Sequence, residues 1–120
     1  MVDDADRDAT QALLAEMRQA FDGGKWDTVL DLYSQTSTHF KGQRGARVEA
    51  TCLASRSLVR KNDRPAARSL LRPIAGGEFA KAIHYDFLAH AFLDLKNYKD
   101  AARVCERADA LVEREKAPGP

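Results

Sequence analysis

The stretch YDFLAHAFLDLKNYKDAARVCERA, residues 85–108, decides the fold that this sequence predicts. Its apolar and small side chains recur at three- and four-residue spacing on both sides of a polar break at Lys96-Asn97, as they do along one face of a helix. They are Tyr85, Leu88, Ala89 and Phe92 before the break, and Ala101, Cys105 and Ala108 after it. The stretch therefore predicts two helices joined by a short turn.

The same unit occurs twice more, upstream of this stretch. The three turns are Gly24-Lys25-Trp26-Asp27, Asn62-Asp63-Arg64-Pro65 and Lys96-Asn97-Tyr98-Lys99, which lie 38 and 34 residues apart. A repeat in this range is typical of helical arrays in which each hairpin buries its apolar side against the next. We therefore predict an all-α solenoid of three helix-turn-helix hairpins, six helices in all. It forms one domain over residues 8–116, between a disordered acidic N-terminus (1–7) and a disordered tail (117–120).

Capping and breaking residues give approximate helix bounds. The first helix is predicted over 8–22, the third over 46–60, the fifth over 78–95 and the sixth over 99–116. Pro65 suits the first turn of the fourth helix, and Pro73 ends that helix near Leu71. The fifth helix is the most apolar and aromatic, so we expect it to be the central core helix.

Composition restricts the class of protein. The start of the chain lacks the basic and apolar segments of a secretion signal, and no apolar run approaches the roughly 20 residues that span a bilayer. We therefore expect a cytoplasmic protein without a membrane segment. Two cysteines, Cys52 and Cys105, are too few for a disulfide framework, and we expect both to be reduced and buried.

The third unit resembles the tetratricopeptide repeat. Its large, leucine, small and aromatic positions, and the small positions of its second helix, follow the pattern of that family over residues 85–108, while the first two units match more loosely. The resemblance implies that Ala89, Ala101 and Ala108 let the helices approach closely, and that Tyr85, Phe92 and Tyr98 fill the spaces between hairpins. It also implies a non-catalytic adaptor or chaperone-like module whose first helices line a concave groove.

The resemblance places one side chain from each hairpin along that groove. Arg18, Arg56 and His90 each precede the turn position at Trp26, Arg64 or Tyr98 by eight residues. Asp86 lies one turn earlier than this column, and Arg60 lies one turn later. Guanidinium groups bind carboxylates in a bidentate manner, so the expected ligand is an acidic or carboxylate-ended segment of a partner protein. The alternative is that Arg18 and Arg56 are ordinary surface residues or pair with Asp22 and Asp86.

Charge is distributed unevenly, although the formal net charge is only +1. Residues 41–72 contain nine basic and two acidic side chains, whereas residues 1–40 contain three basic and eight acidic ones. On the fourth helix, Arg64, Arg68 and Arg72 follow at four-residue spacing and could bind a nucleic-acid backbone. Two other interpretations stay open: a solvated face, or a surface that pairs with the acidic first hairpin of a second copy.

No residue pattern indicates catalysis. The sequence contains no recognisable acid-base pair, nucleophile triad or phosphate-binding loop, and the paired glycines are explained as helix stops. His84 and His90 are six residues apart on one helix, too far around it to share a metal ion. We therefore predict no enzymatic activity, no cofactor and no metal site.

Overall fold

Six helices form the regular structure of the described residues. The computed structural model describes residues 4–36, 40 and 42–116. The helices are α1 (Asp4–Asp22), α2 (Trp26–Tyr33), α3 (Arg44–Arg60), α4 (Arg64–Leu71), α5 (Ala82–Asp94) and α6 (Tyr98–Lys116). No strand occurs within the described ranges. The predicted all-α class with six helices is confirmed.

The three hairpin turns share one backbone conformation. Gly24, Asn62 and Lys96 have positive φ angles of 73°, 63° and 59°. Each of these N–H groups donates to the carbonyl oxygen three residues earlier, and the next N–H donates to the carbonyl five residues before it, at 2.8–3.0 Å. This double pattern closes a helix with a left-handed residue. The three units that the sequence aligns therefore also turn in the same way.

Two helix starts differ from the prediction. Helix α1 begins at Asp4, so residues 4–7, which we expected to be disordered, are helical; residues 1–3 and 117–120 lie outside the described part of the chain. Helix α5 begins at Ala82 and not near residue 78. The backbone N–H of Phe79 donates to the Tyr85 hydroxyl at 2.9 Å, so a side chain of α5 holds this segment in a non-helical path.

Helix α4 has the bounds that its sequence signals predict. The Asp63 carboxylate accepts a hydrogen bond from the N–H of Ala66 at 3.2 Å, and Pro65 lies in the first turn. The helix ends at Leu71, two residues before Pro73. Capping and proline chemistry thus set both ends.

Helix α3, and not α5, is the central helix. It contacts α1, α2, α4 and α5, whereas α6 packs against α5. Its two sides enter different apolar clusters: Ala50 joins Leu14, Met17 and other residues of the first hairpin, and Cys52 joins the cluster built mainly by α4, α5 and α6. The sequence prediction chose α5 because it is the most apolar helix. It overlooked α3 because the buried residues of α3 are largely small or polar.

The polar residues buried in α3 have hydrogen-bond partners. The Ser55 hydroxyl donates to the Ala67 carbonyl of α4 at 3.0 Å, and the Ser57 hydroxyl donates to the Leu53 carbonyl at 2.9 Å. Thr51 lies 3.3 Å from the Tyr33 hydroxyl of α2. Satisfied polar groups of this size can be buried at little cost, and they allow neighbouring helices to approach closely.

The outer side of the third hairpin is more exposed than the sequence suggested. Ala89, Ala101 and Ala108 are buried as expected, but Tyr98 is 63% exposed and Leu93 is 44% exposed. Cys105 is also exposed, which corrects the prediction that both thiols are buried. In the first hairpin the corresponding positions, Phe21 and Trp26, are covered by side chains of α3. Within the described residues no helix follows α6 to cover this side.

Candidate binding groove

Helices α1, α3 and α5 together line a cavity of about 390 Å³. Its walls are formed by Arg18, Phe21, Asp22, Glu49, Cys52, Leu53, Arg56, Ile83, Phe87 and His90. We refer to this cavity as the groove. The three predicted column residues Arg18, Arg56 and His90 all belong to it. Each lies six residues before the left-handed residue that ends its helix, so the shared turn gives them the same orientation.

Arg18 is paired inside the protein. Its Nε and Nη2 groups donate to the two carboxylate oxygens of Glu49 on α3, the second at 2.7 Å. The Arg18 side chain is 48% exposed, but that of Glu49 is only 9% exposed. The hydrogen bond that Arg18 donates to Glu49 raises the pKa of the guanidinium, against the smaller effect of burial. Within the described residues, the hydrogen bonds of the Arg18 side chain use Nε and Nη2 and leave Nη1 unused.

Arg56 and Arg60 share a second carboxylate. Arg56 Nε and Arg60 Nη1 lie 2.7 and 2.6 Å from the same oxygen of Asp94 on α5. Burial alone would raise the pKa of Asp94, but the hydrogen bonds and charges of Arg60 and Arg56 lower it below its ordinary value. Both guanidinium groups also lie over the Phe21 ring, at 4.8 and 4.9 Å from its centre. Arginine side chains therefore connect all three first helices of the hairpins.

The floor of the groove is apolar. Phe21, Leu53 and Phe87 are partly buried, and Ile83 is 52% exposed although it is a large aliphatic residue. Cys52 lies beneath them, where burial raises the pKa of its thiol to about 12, with a smaller opposing effect from Arg56. The thiol is therefore uncharged at neutral pH and contributes as a small apolar group.

Two predicted groove residues lie outside the lining of the cavity. Asp86 is exposed on α5 and contributes nothing to the walls. Of the corresponding residues one turn before Arg18 and Arg56, Leu14 is buried outside the lining and Cys52 contributes to the groove floor. Arg60 stands at the edge of the groove, where Asp94, Phe21 and Trp26 hold it.

The ion pairs of Arg18 and Arg56 differ from those that the sequence suggested. Arg18 and Arg56 pair with Glu49 and Asp94, not with Asp22 and Asp86. Sequence reasoning missed Glu49, although it lies seven residues before Arg56 and therefore on the same side of α3. It also missed the exposure of Ile83. The sequence did contain a signal for Glu49, because it is an acidic residue among side chains that are mostly small or apolar.

The predicted basic face is a separate surface. Arg64, Arg68 and Arg72 are all exposed on or just after α4 and take no part in the groove. No ion pair involving them is found among the residues that the structure describes. They remain available to a charged partner.

In comparisons with known proteins, no family model, no curated protein and no solved structure matches this chain. The tetratricopeptide resemblance therefore rests on the repeated residues and the shared turns. Within residues 4–36, 40 and 42–116, no helix has the length and apolar character needed to cross a membrane. No three acidic, histidine or cysteine side chains of the same residues come together as metal ligands.

Proposed function

We propose that the chain is a tetratricopeptide-like, non-catalytic module, adaptor or chaperone-like, that binds an extended and partly acidic segment of a partner protein in the groove. The observation that supports this best is that Arg18, Arg56 and His90, taken from three different hairpins, line one open cavity. We further propose a cytoplasmic location, because neither cysteine forms a disulfide within the described residues.

The bound segment carries both an apolar and an acidic side chain. Ile83 and Phe87 offer a partly exposed apolar surface, which a partner's aliphatic or aromatic side chain would cover. Arg18 and Arg56 each use only part of their donors within the protein, so the remaining N–H groups can bind a carboxylate of the partner. Because Glu49 and Asp94 already balance these arginines, charge alone is a weak determinant and the apolar contact is required as well.

Selection from a random peptide library, followed by fluorescence anisotropy, tests the proposal. We expect selected peptides to combine one large apolar residue with an acidic neighbour. Ile83→Ser and Arg18→Gln should each weaken their binding about tenfold, which corresponds to roughly 1.4 kcal/mol. Arg64→Gln, an exposed arginine outside the groove, is the matched control and should bind normally. Peptides that lack acidic residues, or that bind the folded Ile83→Ser and Arg18→Gln variants as tightly as wild type, would contradict the proposal.

Binding of a nucleic-acid backbone is a second candidate, favoured by the exposure of Arg64, Arg68 and Arg72 without ion-pair partners in the described residues. It predicts retention on duplexes of unrelated sequence, with a salt dependence that decreases by about one unit for each arginine replaced by glutamine. Equal retention of the triple glutamine variant would exclude this candidate.

Self-association is a third candidate, favoured by the exposed Leu93 and Tyr98 on the outer side of the third hairpin. Light scattering distinguishes two forms of it. A dimer that Tyr98→Ser abolishes would involve this side of the hairpin, whereas a salt-sensitive dimer abolished by charge reversal at Arg64 and Arg68 would involve the basic face.

A further inference from the structure

A second cavity, of about 470 Å³, lies between helix α6 and the segment that precedes α5. It is lined by Gly76, Glu78, Phe79, Ala80, Tyr85, Arg107, Ala110 and Arg114. It has no lining residue in common with the groove. Whatever it binds is therefore independent of the proposed peptide site.

Arg107 brings an unsatisfied donor into this region. Its Nη1 atom is buried and has no hydrogen-bond partner among the described residues, and Arg107 forms no ion pair there. A buried donor of a charged group that lacks a partner is destabilising, and such groups are rare in folded proteins. Arg107 also lines a smaller adjoining cavity of about 100 Å³.

Arg114 adds a second positive charge to the same wall. It follows Arg107 by seven residues, which is two helical turns, so both side chains project from one side of α6. Arg114 also forms no ion pair within the described ranges. Glu78 is the one acidic residue among those that line this cavity, and it pairs with neither arginine.

The opposite wall is held in place by contacts inside the protein. The Tyr85 hydroxyl accepts the Phe79 N–H at 2.9 Å, and the two rings meet edge to face at 5.0 Å. The hydroxyl hydrogen of Tyr85 is left to donate to another group. Gly76 has no atom within 4 Å of the place where a Cβ would stand, so the cavity is open beside it.

We propose that this cavity is a binding site for a small-molecule oxyanion, a carboxylate or a phosphate, held by Arg107 and Arg114. Two planar guanidinium groups supply paired donors that match the spacing of such oxygens, and the Tyr85 hydroxyl supplies one more. A bound oxyanion would supply the charged partner that Arg107 lacks among the described residues. The aromatic wall of Phe79 and Tyr85 suits an organic group attached to the oxyanion.

Titration with inorganic phosphate and with succinate, at constant ionic strength in chloride, tests this site by NMR. We expect saturable shifts of the backbone amides of residues 76–80 and of the Arg107 Nε–H group. Arg107→Gln and Arg114→Gln should each weaken binding at least tenfold. The matched control is Arg68→Gln, which removes an exposed arginine outside the cavity and should bind like wild type. The more tightly bound probe identifies whether the natural oxyanion is a phosphate or a carboxylate.

A second variant separates a built cavity from general attraction to positive charge. Gly76→Leu fills the opening without removing any arginine, and we expect it to weaken binding of the same probe at least fivefold. Circular dichroism confirms that each variant is folded. Shifts that increase linearly without saturation, or equal affinity of wild type and Arg107→Gln, would overturn the proposal.

Discussion

Arg18 on α1 and Glu49 on α3 form a two-point ion pair whose partners are unequally buried, the arginine side chain being 48% exposed and the glutamate 9%. The pair joins the first two hairpins at the wall of the groove. Because only the carboxylate is removed from water, the two partners are not equivalent: an isolated Arg18 would remain hydrated, but an isolated Glu49 would be a buried charge.

This inequality predicts different effects of the two neutral substitutions. Arg18→Gln should lower the free energy of unfolding by about 1–3 kcal/mol, because it leaves the Glu49 carboxylate without its donor, whereas Glu49→Gln should cost about 1 kcal/mol or less. Urea unfolding at pH 7 measures both values. A larger decrease in the free energy of unfolding for Glu49→Gln than for Arg18→Gln would show that the unequal burial of the two partners does not determine these effects.

The two arginines on Asp94 predict a pH-dependent contribution to stability. Their hydrogen bonds lower the pKa of Asp94 in the folded protein below the ordinary value of 3.8, so the contribution is fully present above that pH and is lost as the pH falls through the folded pKa. Asp94→Asn should therefore cost about 1–3 kcal/mol at pH 7 and less near pH 3.

Urea unfolding of wild type and Asp94→Asn across this pH range tests the expectation. Asp86→Asn removes an exposed carboxylate from the same helix and serves as the control, with an expected change below about 0.5 kcal/mol. If the difference in the free energy of unfolding between wild type and Asp94→Asn were constant with pH, the proposed linkage to the pKa of Asp94 would be wrong.

The shared turn conformation predicts that glycine is the favoured residue at two corresponding positions, so that removing it from one and introducing it at the other should have opposite effects on stability. Gly24→Ala should destabilise the protein by about 1 kcal/mol, since its φ of 73° is strained for alanine, while the space around its Cβ is adequate. Lys96→Gly should stabilise it by about 0.5–1 kcal/mol, since it relieves the same strain at a φ of 59°. Thermal unfolding measures both, and Gly76→Ala, which meets nothing within 4 Å, is the control. A stabilising Gly24→Ala would contradict this account.

The two thiols should differ in reactivity. Burial raises the pKa of Cys52 to about 12, whereas Cys105 is exposed. At pH 8 roughly one Cys52 thiol in ten thousand would be a thiolate, and access to it is blocked as well. Iodoacetamide should therefore modify Cys105 alone in the folded protein, and both cysteines in urea, as read by peptide mass spectrometry. Rapid modification of Cys52 in the folded state would show that the groove floor opens.

Local chemistry explains why much of the fold could be read from the sequence. The breaks at Gly24, Asn62 and Lys96 mark real turns, and Asp63, Pro65 and Pro73 mark both ends of α4, since capping and proline effects act within a few residues. The column of Arg18, Arg56 and His90 came from aligning the three units on the tetratricopeptide pattern. The function assigned to that column, and the family to which the repeats are compared, stay predictions.

The sequence by itself determined that the described residues form six helices, where the three hairpins turn, and which residues share a helix face, because these depend on neighbours three to five residues apart. Tertiary structure alone decided that α3 is central, that Glu49 and Asp94 take the arginines, and that Tyr98 is exposed. Those outcomes depend on which side chains meet across 31 or more residues of chain and on whether a following helix covers a face. The buried Arg107 donor belongs to the same class, since no local pattern predicts which polar atom a fold leaves unsatisfied.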